Sequence, residues 1–414
     1  MRIPGLSAGP LLLYGTGGAR ESGLLYRGAL ETCYVAPRSG YSQVEELLMD
    51  GNLSKAIDSY RAGARFDARA SRRTFLQALA AAGAYAAAPA SNLVAQAVSP
   101  SVRPMAGRID VHHHMFPPFY VKEREADMKA SGFQLRPWTP QTSLDMMDKH
   151  GIATAFVSPV QRLVMDTQSD RSEKARSLAR QSNEYCAQMM KDYPGRFGFF
   201  AALPLPDAEG SLKEIGYSLD TLKADGIALW TSYMDKWMGD PSFAQVYAEL
   251  NRRGAVVFVH PARASCCRNL PGQSGIIEYD IDTARAIDSL LWDGTLAKNP
   301  NIKFIFSHSG GAFPVLAARI IDDFPKNRAA NAPNGVEYEF KKLYFDTAHA
   351  GRAPALDALK DIVPVSQVMY GSDAPIRTYE LTDDWLVQYE GFSENDWKAI
   401  NRGNAERLFP RLKT

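Results

Sequence analysis

Asp110-Val111-His112-His113-His114 ends the short apolar run Arg108-Ile109-Asp110-Val111. A β-strand turns alternate side chains to opposite faces, so His112 and His114 share one face and His113 takes the other. Two imidazoles converging at a strand end can hold a metal ion, whereas three consecutive histidines also fit a solvated polar stretch. The choice rests on what arrives at other strand ends. His260 stands in Val259-His260-Pro261, His308 in Ser307-His308-Ser309-Gly310-Gly311, and Asp373 in Tyr370-Gly371-Ser372-Asp373, with Asp346 at the end of a seventh run. Imidazoles and a carboxylate without a thiolate suit one divalent ion, Zn²⁺ first, with Mn²⁺ or Fe²⁺ as alternatives. Such an ion lowers the pKa of a bound water to about 7 or polarises a substrate oxygen. A carboxylate beside it can take or deliver a proton. Asp373 is placed for that proton, and His308 for orienting a water or stabilising charge opposite it. The remaining histidines read as bystanders. His113 faces the barrel wall, His150 caps a helix C-terminus before Gly151, and His349 is a solvated loop residue.

The elements that must position these residues alternate in type. Eight strands are expected, at 108–114, 153–160, 197–203, 226–231, 255–261, 303–309, 342–348 and 368–373. Runs such as Val256-Val257-Phe258-Val259 are apolar throughout, as strands buried on both faces are. Helices are expected at 142–150, 171–193, 242–253, 282–292 and 314–324, several ending at a glycine or before a proline. Repeated strand–helix units over about 300 residues predict a (β/α)₈ TIM barrel of the α/β class, whose catalytic residues sit at the C-terminal ends of strands. A doubly wound open sheet is the alternative. No Gly-rich phosphate loop follows the first strand, which counts against a nucleotide-binding version of it.

The chain of 414 residues is 45% hydrophobic and 22% charged with a formal net charge of +1, a globular composition without the basic stripe of a nucleic-acid binder. Cys33, Cys186, Cys266 and Cys267 form no CxxC pair, which excludes a zinc ribbon and a regular disulfide framework; vicinal Cys266 and Cys267 read as loop thiols. Residues 1–70 show no sustained periodicity and are expected to be a disordered extension. At 71–97 follow Ser71-Arg72-Arg73-Thr74-Phe75-Leu76, an Ala-rich stretch and Ala95-Gln96-Ala97, the layout of a twin-arginine export signal. The Ala-rich stretch is too short and too weakly apolar for a membrane span. Export to the periplasm is therefore expected, cytoplasmic residence being the alternative, with the mature domain at 98–414. Such a signal usually opens a chain, so Met49 is the expected start and residues 1–48 an over-long reading.

At this point the motifs resemble a family. Arg108-Ile109-Asp110-Val111-His112-His113-His114-Met115-Phe116-Pro117-Pro118, Phe306-Ser307-His308-Ser309-Gly310-Gly311-Ala312-Phe313-Pro314 and Tyr370-Gly371-Ser372-Asp373-Ala374-Pro375 are similar to the amidohydrolase superfamily. They resemble its amidohydrolase-related branch, which includes aminocarboxymuconate-semialdehyde decarboxylase. The stretches around Met147–Ala155, Gly195–Pro204 and Leu250–Pro261 are most similar to 6-methylsalicylate decarboxylase-like proteins. The resemblance runs from Arg108 to Leu412. It implies that His112, His114, His260 and Asp373 bind a single divalent metal, and that His308 contacts the metal-bound water or the substrate. Leu229-Trp230-Thr231 stands where binuclear members carry a bridging lysine, which favours a mononuclear site. It also implies a homodimer. Trp230 and Phe313 are expected to form an aromatic wall at the substrate.

The activity implied is non-oxidative decarboxylation of a small hydroxyaromatic carboxylic acid, with no organic cofactor. Hydrolysis of a lactone, ester or amide by metal-bound hydroxide is the alternative, since the same ligands serve both. A non-catalytic metal-binding scaffold would be expected to lack a ligand, and none is missing. Arg263, Arg268, Arg352 and Arg377, in loops after strands 5, 7 and 8, are the cations that could meet a substrate carboxylate as a planar fork.

Overall fold

Strand residues here are β-branched, aromatic and small, and most are buried on both faces, the condition for a parallel sheet wrapped in helices. A computed structural model describes residues 106–130, 137–159, 172–234, 236–262 and 274–413. Residues 1–97, on which an extension and an export signal are expected, and Cys266, Cys267, Arg263 and Arg268 lie outside the described residues. Those described belong to one compact unit, Ala95–Thr414.

The strands are β1 (Arg108–Met115), β2 (Ile152–Pro159), β3 (Phe197–Ala202), β4 (Gly226–Trp230), β5 (Val256–His260), β6 (Lys303–Phe306), β7 (Tyr344–Asp346) and β8 (Val368–Met369). They pair in chain order and all in parallel. The sheet then closes on itself. Val111 N–H donates to Tyr370 C=O at 3.0 Å, Asp373 N–H to His112 C=O at 2.9 Å, and His114 N–H to Ala374 C=O at 2.7 Å. The result is a (β/α)₈ barrel, as expected. Each strand leads to a helix: α1 (Pro140–Lys149), α2 (Ser172–Asp192), α3 (Ala208–Gly216), α4 (Ala244–Arg253), α5 (Ser274–Trp292), α6 (Phe313–Asp323), α7 (Ala353–Ile362) and α8 (Tyr379–Val387). The cues that stop and start these helices are local. Thr139 accepts from Thr142 N–H to cap α1, with Pro140 in the first turn. Helix α4 ends at Gly254 with φ +60°, a conformation that penalises a Cβ.

Alternation builds two apolar layers. Ile109, Val111, Phe156, Phe200, Ala228, Val256, Phe258, Ile305 and Met369 form the inner cluster, closed from below by Phe409 and Leu412 of the C-terminal segment. The intervening strand residues, such as Val257, Val259, Phe304 and Phe306, pack outward under the helices. Strand positions agree with the sequence pattern to within three or four residues at each end. Helix α5 begins eight residues earlier than periodicity suggested, and α3, α7 and α8 were not anticipated. Among the described residues no helix is long and apolar enough to cross a membrane.

Candidate metal centre

The first strand does not alternate throughout. Ile109 and Val111 both join the inner cluster, which by strict alternation would turn His113 inward as well. Between Asp110 and His113 the register slips, with Asp110 opposite Ala155 and His113 opposite Val157, so β1 carries one extra residue. Such a bulge re-aims the side chains that follow it. His112 and His114 turn into the barrel, their ring centroids 4.9 Å apart. His113 turns out, its Nε2 2.8 Å from Ser143 Oγ on α1 and its Nδ1 3.2 Å from Tyr379 OH on α8. Asp110 also faces the wall, accepting from Ser372 Oγ at 2.6 Å and Tyr379 OH at 2.8 Å. It ties β1 to the segment after β8 that delivers Asp373.

His260 at the end of β5 and His308 after β6 complete the ring, with centroids 5.3 and 5.1 Å from His112. His112, His260, His308 and Asp373 each offer a ligand atom, all within 4.8 Å of one another. His114 reaches the same point, with Nε2 2.8 Å from Asp373 Oδ1 and 3.1 Å from His112 Nε2.

Hydrogen bonds behind the rings decide which nitrogen faces the centre. His112 Nδ1 lies 2.8 Å from Asp346 Oδ2, His114 Nδ1 3.3 Å from Ser158 C=O, and His260 Nδ1 3.0 Å from Pro261 C=O. A carbonyl or carboxylate only accepts, so each Nδ1 carries a proton and each Nε2 is the nitrogen turned to the centre, where a metal ion would take its lone pair. Those lone pairs converge on Asp373 Oδ1, itself an acceptor. Acceptors packed this closely repel unless positive charge lies between them, a proton on His112 in the metal-free site or the cation that the donor set fits. Consistently, Asp373 Oδ1 and His308 Nε2 are buried with no hydrogen-bond partner among the described residues.

The titration behaviour points the same way. Burial opposes a charge on His112, yet the Asp346 and Asp373 carboxylates push its pKa up to about 10. Burial holds His114, His260 and His308 below the usual imidazole value, and neighbouring imidazoles add to the effect on His260. Burial alone would raise Asp373, but His112 and the surrounding imidazoles hold it well below the usual carboxylate range. The pocket calls for positive charge beside Asp373 and neutral rings elsewhere, which one divalent ion supplies.

Asp346 is the group whose role the sequence did not disclose. It orients His112 through Oδ2, and its Oδ1 accepts from the backbone N–H groups of His308 and Ala348 at 3.0 and 2.9 Å. His349 was read as solvated. Its Nε2 instead lies 2.6 Å from Asp373 Oδ2, with the side chain 41% exposed against 5% for Asp373. Asp280 on α5 is raised by its burial, against the opposing influence of His308 and His349. Trp230 stands beside His260 in register, fully buried, its indole Nε1 unpartnered among the described residues. Phe313 does not join the site. It packs in the outer core, 4.7 Å from Phe340 and stacked 6.0 Å from Phe345, because the turn through Gly310 and Gly311 carries it back against the barrel wall.

The backbone is strained at the same place. Of six non-glycine residues with positive φ among the described residues, four are His308, Ser309, His349 and Asp373, a concentration typical of functional sites. Gly371 is needed for close approach. A Cβ there would lie 2.8 Å from Asp346 Cβ and 2.9 Å from His112 Cβ.

Comparison with known proteins agrees with this geometry. The amidohydrolase family model matches residues 109–411. The chain is 36% identical over 324 residues to Decarboxylase macB of Penicillium terrestre, covering 74% of this chain and 96% of that protein. It is 34% identical over 321 residues to the 6-methylsalicylic acid decarboxylase of Penicillium expansum, covering 74% and 97%. In fold it is similar to a dihydroxybenzoic acid decarboxylase from Polaromonas solved with manganese and 2-nitroresorcinol, with a TM-score of 0.63 and 21% identity over 75% of this chain and 98% of that one. A family match across the whole barrel, with relatives above one-third identity over nearly their full length, shows that the chain belongs to the amidohydrolase family, beside its decarboxylases.

Proposed function

We propose that this protein is a metal-dependent, non-oxidative decarboxylase of a small hydroxyaromatic carboxylic acid, with His112, His114, His260 and Asp373 holding the ion. The observation that carries the reading is the convergence of imidazole Nε2 atoms and Asp373 in one buried pocket, in a chain 36% identical to a decarboxylase over 96% of that protein's length. When bound, the ion would neutralise the substrate carboxylate and an adjacent phenolic oxygen. Both Mn²⁺ and Zn²⁺ suit such a donor set, and the manganese in the Polaromonas structure supports Mn²⁺.

The protein's own groups move the proton. The ring carbon that bears the carboxylate must gain a proton as the carbon–carbon bond electrons return to the ring and carbon dioxide leaves. Asp373 is the proposed donor. Because its neighbours hold it ionised, Asp373 passes a proton on rather than storing one. His349, hydrogen-bonded to Oδ2 and half-exposed, links it to solvent. His308 flanks His112 and His349 and is placed to face the developing charge. Trp230 offers an aromatic face and a free N–H beside His260. The test is to incubate metal-loaded protein with salicylate-type acids and, in parallel, aryl lactones, reading products by mass. Release of carbon dioxide with the matching phenol supports the reading. Lactone opening without decarboxylation replaces it with the hydrolase.

Two further proposals come from the sequence. The twin-arginine layout supports export, which fractionation of expressing cells with N-terminal sequencing near Val98 tests. A homodimer is supported by apolar side chains exposed on α5 and α6, among them Ile277 at 64% and Val315 at 75%. Light scattering in solution tests it.

A further inference from the structure

Arg352 and Arg377 stand on the loops that follow β7 and β8. Both guanidinium carbons lie over one ring, that of Trp385 on α8, at 4.4 and 4.0 Å. Elsewhere in the barrel, arginines drawn into the structure have acids. Arg108 pairs with Asp383, Arg253 with Asp220 and Glu249, and Arg402 with Glu406. Neither Arg352 nor Arg377 has a carboxylate within ion-pair distance among the described residues. Arg377 Nε is buried and unpartnered among them. Burial lowers the Arg377 pKa and the charge of Arg352 lowers it further, with Asp373 opposing. Stacking on an indole accounts for one guanidinium. It does not account for two like charges brought together, one of them with a buried Nε that has no partner among the described residues.

The pair also has a fixed relation to the metal centre. Arg377 Nη1 is 3.4 Å from His349 Nδ1, and the other nitrogen of that ring is 2.6 Å from Asp373 Oδ2. The guanidinium is thus one imidazole ring removed from Asp373, at the exposed side of the pocket. A benzene ring with a group held beside Asp373 would project its far substituents over a similar distance.

We propose that Arg377 and Arg352, aligned by Trp385, form a subsite for a second anionic group on the substrate, on the side of its ring away from the metal centre. The substrate class is then a hydroxyaromatic acid with a second carboxylate. The proposal rests on the decarboxylase reading for the aromatic ring, and on the arginine pair alone for the second charge. Carboxylates take a guanidinium fork in a planar, two-bond geometry, and two forks on one indole limit the anion to that edge.

The test uses full-length, metal-loaded protein and ligands in which a nitro group, which cannot leave as carbon dioxide, replaces the reacting carboxylate. 2-Nitrophenol is the reference. 3-Hydroxy-4-nitrobenzoate and 4-hydroxy-3-nitrobenzoate add a carboxylate at two far positions of the ring. By calorimetry, at least one of them should bind about 10- to 100-fold tighter than 2-nitrophenol, the range for a charge-assisted pair. In Arg377→Met that preference should fall to about threefold or less, while 2-nitrophenol affinity changes by less than about twofold. Arg352→Met, at an exposed residue, should reduce the preference too and keeps the test open if Arg377→Met fails to fold by circular dichroism. Equal binding of all three ligands, or a preference that survives both variants, overturns the subsite. A carboxylated ligand that binds while 2-nitrophenol does not would keep the subsite and sink the aromatic decarboxylase reading. The converse would do the opposite.

Discussion

The lower and upper halves of the barrel interior are built by the same strands and have opposite chemistry. Below, Phe156, Phe200, Phe258 and Phe409 pack with ring centroids 4.3–5.9 Å apart, and the Arg411 guanidinium over Phe156 is neutralised by Asp225. Above, one to four residues further along the chain, the side chains are His112, His114, His260 and Asp373, with left-handed backbone at His308, Ser309, His349 and Asp373. Buried polar atoms without partners among the described residues gather there too: Ser158 Oγ, Trp230 Nε1, Ser307 Oγ, His308 Nε2, Asp373 Oδ1 and Arg377 Nε. His112 is the junction, its ring edge-on to Phe258 at 5.0 Å. The difference teaches that stability and reactivity are separated by height along the strand. The apolar floor offsets the strain and unmet polar groups of the roof.

The separation can be broken from either side. At the roof, Asp373→Asn removes the charge and the proton-carrying oxygen with little change in volume. Decarboxylation should fall by about 10²- to 10⁴-fold, the range for loss of a general acid. The midpoint of thermal unfolding of the metal-free protein should fall only modestly, since the protonated His112 loses Asp373 but keeps Asp346 as a partner. A variant that melts markedly lower would mean that the roof also holds the fold. At the floor, Phe200→Ala should cost about 3–5 kcal/mol of folding free energy in a denaturant titration, as large-to-small changes in packed cores do. Its metal affinity, measured by chelator competition, should stay close to that of the parent.

The floor was more legible in the sequence than the roof. Val256-Val257-Phe258-Val259 could only be a strand buried on both faces, and counting such runs placed His260, His308 and Asp373 at strand ends. The bulge in β1 was not legible. Alternation counted from Ile109 and Val111 turns His113 inward, and only the extra residue opposite β2 turns His112 and His114 in instead. The role of His349 depends on a left-handed loop and on a partner 24 residues away. Arg377 and Trp385 meet only because α8 folds back, and α8 is nine residues long. Phe313 packs against Phe340 and Phe345, and nothing local in the sequence separates a core phenylalanine after a glycine turn from a pocket one.

The boundary is sharpened by Asp346, which is buried at roof level and offers no atom to the ligand cluster. Its two oxygens accept from His112 Nδ1, His308 N–H and Ala348 N–H. In Asp346→Asn the amide oxygen suits the two backbone donors, which leaves the NH₂ group facing His112 Nδ1. That nitrogen must then accept, the proton moves to Nε2, and the lone pair needed at the centre is lost. Metal affinity should fall by about 10- to 100-fold, as for other partners behind a ligating histidine. The unfolding midpoint of the metal-free protein should also fall, modestly, since the protonated His112 loses Asp346 but keeps Asp373. An unchanged affinity would mean that the tautomer of His112 is set by something other than Asp346.

The remaining effect concerns pH. Burial opposes a proton on His112, but Asp346 and Asp373 raise its pKa to about 10, above the ordinary 6.5. A raised value means that the metal-free site is protonated at neutral pH, and stays so until the pH climbs through about 10. The ion and this proton compete for one lone pair, so binding the ion releases the proton. Apparent metal affinity should therefore rise with pH, by about tenfold per unit between roughly pH 7 and 9, and fall as the solution is acidified. His114, His260 and His308 are held low by burial and should add no slope in that window. Chelator competition at constant ionic strength reads the slope directly. In Asp346→Asn one of the two carboxylates that raise His112 is gone, so the slope should flatten over the upper part of the window. A flat profile in the parent protein would show that no proton occupies the roof before the ion does.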